Sequence, residues 1–141
     1  MKKCLIILFL FLSAAVAAVG NDYTPQLQQL ASELSKSVTG TADGTFKSVE
    51  YVNGDLTFTV GIDSKFNKAY YAVQDPDKQN QYVSVALVRL FSGNPAQGKQ
   101  IMDFLSGTRT RICFRFPLPG DINGSCSELT VLPSDIKVLL K

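Results

Sequence analysis

Histidine is missing from all 141 residues. Its absence removes the commonest general base, the Ser-His-Asp and Cys-His nucleophile arrangements, and every metal site that needs an imidazole. Phosphate cradles are missing as well: the glycines stand singly in turns, and neither G-x-x-x-x-G-K-S/T nor G-x-G-x-x-G occurs. Cysteine is sparse, with Cys4, Cys113 and Cys126 and none between Leu5 and Arg111. A lipoprotein carries its acylated cysteine directly after an N-terminal apolar run, so this spacing gives no lipid anchor.

The N-terminus has three zones: Lys2 and Lys3, then the apolar run Cys4 to Val16, then small residues including Ala17, Ala18 and Gly20. That order is a secretory signal peptide, and the run is shorter than the roughly 20 residues of a bilayer span. Residues 1–20 are therefore read as a cleaved leader and 21–141 as one mature domain, periplasmic or extracellular, with no transmembrane span after processing. The leader accounts for the formal charge of +2, because losing Lys2 and Lys3 leaves 12 basic residues against 12 acidic ones. A neutral domain has no field to draw nucleic acid, whose binding rests on several phosphate-neutralising cations. In an oxidising compartment the remaining pair, Cys113 and Cys126, is expected to form a disulfide, worth about 3 kcal/mol for so short a loop.

Thr24-Pro25 reads as a cap and first helical residue, followed by Leu27, Leu30, Ala31, Leu34 and Val38 at helical spacing, with Gly40 placed to end the helix. From Thr45 the chain is rich in β-branched and aromatic residues, and Asn53-Gly54 separates that run from the alternation Leu56, Phe58, Val60, Ile62. Asn-Gly between two such runs predicts a β-hairpin. Ser64–Val73 and Gln81–Phe91 fit a helix or a strand by pattern. Asp75-Pro76 and Asn94-Pro95 are helix starts, and Ile112, Phe114 and Phe116 alternate with Arg111, Cys113 and Arg115 as a half-buried strand. Its expected partner is Cys126 to Leu132, with a final short helix from Pro133. The order αββ(α)αββα predicts an α+β fold, an antiparallel sheet of about four strands with helices packed mainly on one face.

Candidate chemistry is thin. Asp75 with Asp77, and Asp121 with Glu128, are the local carboxylate pairs, and turn or cap duty explains them. Asp75–Gln79 and Asp121–Ser125 echo calcium loops, but Asn80 and Cys126 stand where the turn needs glycine, and Ala86 and Leu132 where a bidentate Glu belongs. No metal or cofactor is implied. Asn123-Gly124-Ser125 matches an N-glycosylation acceptor, although turn chemistry is reason enough for it.

Two surface features remain. Arg109, Arg111 and Arg115 share one side of a strand with Cys113, a basic stripe suited to carboxylate, sulfate or phosphate groups. Its bland counterpart is a solvated face whose arginines pair with Glu128 and its neighbours. Tyr70 and Tyr71 are adjacent, so one of them is expected to expose a ring that a sugar or protein could use. Together these point to a non-catalytic, exported binding or interaction module, its partner an unknown protein or envelope polymer such as an anionic glycan. The rival expectations are a carboxylate-dependent hydrolase without histidine, or a structural subunit of an envelope assembly.

Overall fold

In the computed structural model, which describes residues 23–39, 45–120 and 123–140, nine elements follow one another. They are α1 (Thr24–Thr39), β1 (Phe46–Val52), β2 (Asp55–Val60), α2 (Lys65–Ala72), α3 (Pro76–Leu90), α4 (Pro95–Gly107), β3 (Arg111–Pro117), β4 (Cys126–Val131) and α5 (Pro133–Lys137). The fold is α+β. Residues 1–20, where a leader is expected, and Gly40 lie outside the described residues.

The local chemistry explains the boundaries. Asn53 and Gly54 hold φ of 52° and 83°, the left-handed pair that a two-residue hairpin needs, and β1 and β2 close antiparallel across it with Val52 opposite Asp55. Ser64, Asp75 and Asn94 cap α2, α3 and α4, each side chain accepting from a backbone N–H of the first turn. Pro76 and Pro95 follow two of these caps, where their fixed φ suits the helix and no N–H is missed. Both ambiguous stretches are helical: α2 covers most of Ser64–Val73, and Gln81–Leu90 belongs to α3.

The sheet has four strands in the order β1-β2-β3-β4 and is mixed. The hairpins β1-β2 and β3-β4 are antiparallel, but β2 and β3 run parallel, with Leu56 opposite Ile112 and Phe58 opposite Phe114. The expectation of an antiparallel sheet is corrected at this central pair. Three helices separate β2 from β3, a crossover long enough to bring the chain back in the same direction. Sequence periodicity marks each strand but carries no information about pairing across such a connection.

One face of the sheet supplies the core: Leu56, Phe58 and Val60 of β2 with Ile112, Phe114 and Phe116 of β3, all almost fully buried. A bulge between Phe46 and Ser48 lets β1 turn both Phe46 and Val49 inward although three residues separate them. The rings interlock: Phe58 stacks on Phe114 at 5.1 Å, and Phe66 of α2 meets Phe116 edge-on at 5.3 Å. Leu30 and Leu34 of α1, Val83 and Leu87 of α3 and Ile101 and Leu105 of α4 complete the same cluster. Asn67 ties helix to sheet, its buried amide donating to Ile62 O at 3.1 Å and Pro117 O at 3.0 Å.

Candidate functional site

The sheet face away from the core is where sequence placed the basic stripe, and alternation does bring Arg111, Cys113 and Arg115 to it. Their charges are matched there. Arg111 grips Asp55 of β2 with both ends of its guanidinium, Nε to Oδ1 at 3.0 Å and Nη2 to Oδ2 at 3.3 Å. Arg115 lies 3.4 Å from Glu128, its cross-strand neighbour on β4. Arg109 is not on the strand at all. It occupies the turn before β3 with φ of 57°, one of two non-glycine residues with positive φ among those described. The expected stripe of three is thus two internally paired arginines and a separate turn residue.

Cys113 and Cys126 are both free thiols, which corrects the expected disulfide. Register gives the reason: Cys126 pairs with Pro117 and Cys113 with Thr130, so four strand residues separate them along the ladder. At about 3.3 Å per residue that is roughly 13 Å, twice the Cα separation a disulfide spans. Cys113 is only 5% exposed, and burial, with Glu128 beside it, pushes its thiol pKa up.

The tyrosine pair does not form a platform. Tyr70 is buried, its ring stacked on Phe116 at 3.7 Å and 1°, and its hydroxyl lies 2.9 Å from Ser127 Oγ. Tyr71 is half-buried, packed edge-on against Tyr70 at 5.1 Å, and its hydroxyl donates to Phe116 O. Burial raises its pKa above the usual 10.0. Both hydroxyls serve to fix α2 to β3 and β4.

The described candidate carboxylates, Asp75, Asp77 and Glu128, are exposed. Asp75 caps α3, accepting from Asp77 N at 3.0 Å, and Asp77 stands exposed in the first turn. Glu128 is held by Arg115, and Asp121 lies outside the described residues. Among the described residues no three Cys, Asp or Glu side chains converge as a metal site.

A groove of about 910 Å³ opens on the helical side of the molecule, where the sequence reading placed nothing. Phe46 of β1 and Phe66, Ala69 and Val73 on and just after α2 contribute apolar surface at its base. One flank is a stripe along α3, Lys78, Tyr82, Val85 and Arg89, in which three- and four-residue steps put every member on one side of the helix. Tyr82 and Val85 are 43% and 47% exposed, so α3 carries apolar surface on this flank besides the buried stripe of Val83 and Leu87. Gln79 holds the flank against its neighbour, donating to Tyr70 O at 3.3 Å and Val73 O at 2.7 Å.

Among the described residues the charge of the groove is one-sided. Lys65, Lys78 and Arg89 line it, no described carboxylate does, and none of the three cations makes an ion pair with a described residue. A signal for this surface was present in the sequence: Val83, Val85 and Val88 together give α3 more apolar residues than one buried stripe requires, which is why a strand also fitted. Comparison with known proteins finds no matching family model, no matching curated protein and no matching solved structure.

Proposed function

We propose that this chain is an exported, non-catalytic binding module of the cell envelope or extracellular space, and that its ligand site is the α2–α3 groove. The observation that carries the reading is the groove itself, whose size falls within the range of small-molecule pockets and which is mostly apolar with a few polar groups at its margin. Export is supported by the three-zone N-terminus. A binding role is supported by the absence of histidine and by the duties of Asp75 and Glu128, a helix cap and a cross-strand ion pair. The sheet face, first choice from sequence, is the poorer candidate because Arg111 and Arg115 already hold carboxylates.

Titrating the chain with the neutral dye N-phenyl-1-naphthylamine tests this reading. Fluorescence should rise saturably with one site per chain. Val85→Glu, at an exposed position, should weaken binding at least tenfold because it sets a charge where the dye must lie. A double Arg111→Ala, Arg115→Ala variant should bind as the parent does. Absence of saturable binding, or loss of binding in the arginine variant alone, overturns the reading.

A further inference from the structure

We infer that the natural occupant of the groove is a single-chain alkyl carboxylate, held with its head at Arg89 and its tail along Tyr82 and Val85; this rests on the groove being the ligand site. The apolar base and flank call for a hydrocarbon tail, and three cations that pair with no described residue, with no described carboxylate among the lining residues, call for a negative head. A monovalent head matches the single cation at each end of the α3 stripe. Lys78 and Arg89 are eleven positions apart on α3, about 16 Å along the axis, so a compact head group at one end of the stripe sits beside one of the two.

The two ends of the α3 stripe are not equivalent. Lys78 stands beside Asp77 and three residues from Asp75 and pairs with neither, so the field at that end is mixed. The last turns of α3 contain no acidic residue, and the planar fork of Arg89 matches a carboxylate in two-point contact. Charge also argues against the chain's own leader as occupant: its apolar run is preceded by Lys2 and Lys3, which would be brought to a cationic rim.

Isothermal titration of the full chain with decanoate, dodecanoate and decyltrimethylammonium, each below its micelle concentration, provides the test. Dodecanoate should bind about 15-fold tighter than decanoate, the effect of two buried methylenes. Decyltrimethylammonium should bind at least tenfold more weakly than decanoate. Arg89→Gln should weaken decanoate at least fivefold and Lys78→Gln less, and in Arg89→Gln the loss for decanoate should exceed any loss for the neutral N-phenyl-1-naphthylamine at least threefold. Equal affinity for the carboxylate and the ammonium, or an unaffected Arg89→Gln variant, overturns the carboxylate while intact dye binding leaves the groove reading standing. Displacement of the dye by a synthetic peptide of residues 1–20, or a dimer in sedimentation that Val85→Glu dissociates, assigns the groove to the leader or to a second copy and overturns the inference.

Discussion

Arg111 of β3 and Asp55 of β2 stand opposite each other in the central parallel pair and are joined by two contacts of 3.0 and 3.3 Å. The pair neutralises a face that would otherwise present a cation to solvent and to passing anions. Because Arg111 is 57% exposed, the coupling is worth little: a double-mutant cycle of Arg111→Ala and Asp55→Ala in urea unfolding should give a coupling below about 1 kcal/mol, shrinking in 0.5 M salt. A coupling that survived high salt would mean a desolvated, energetically important pair.

The separation of the two thiols along the β3-β4 ladder has a chemical consequence. At pH 8 iodoacetamide should label Cys126 first, because Cys113 is buried and its pKa is raised, keeping it in the unreactive thiol form. Peptide mass spectrometry after timed quenching reads this directly. Recovery of a Cys113–Cys126 linked peptide from oxidised protein would contradict the register.

Tyr71 gives a titration that can be isolated. Burial raises its pKa, with the backbone of Ser127 opposing and Tyr70 adding to the shift. A difference titration at 295 nm between the parent and Tyr71→Phe should show one phenol ionising above pH 10. Since the folded state holds this proton more tightly than the unfolded chain, the associated stability is fully present below pH 10.0 and is lost as pH rises through the folded pKa. The parent should therefore lose stability at alkaline pH more steeply than Tyr71→Phe.

Gly98 marks a close contact of α4. A Cβ there would meet Phe91 Cβ at 2.8 Å and Leu140 Cδ1 at 3.0 Å, so α4 can lie against Phe91 and the C-terminal residues only with hydrogen at that position. Gly98→Ala should cost about 1–3 kcal/mol in urea unfolding despite the better helix propensity of alanine. A stabilised variant would show that these segments are further apart.

Local features were legible in the sequence because local chemistry dictates them. Asn53-Gly54 can only be a turn of that kind, Asp75-Pro76 and Asn94-Pro95 can only start helices well, and the alternation of Ile112, Phe114 and Phe116 sets the buried face of β3. Pairing between distant segments was not legible. Whether β3 lies parallel to β2, and whether Cys126 reaches Cys113 or Pro117, depends on the crossover and on register, which no local pattern encodes. The groove was hidden for the same reason. Phe46, Phe66 and Val85 come from three separate elements, and only the packing of α2 and α3 over the start of β1 brings them to one surface.

Backbone amide shifts recorded by NMR while decanoate is added test the central claim most directly. The account predicts perturbations concentrated in Lys65–Val73 and Lys78–Leu90, largest around Val85 and Arg89, with β3 and β4 from Arg111 to Val131 unaffected on their open face. Shifts centred on Arg111, Cys113 and Arg115, or no saturable shifts at all, would contradict it.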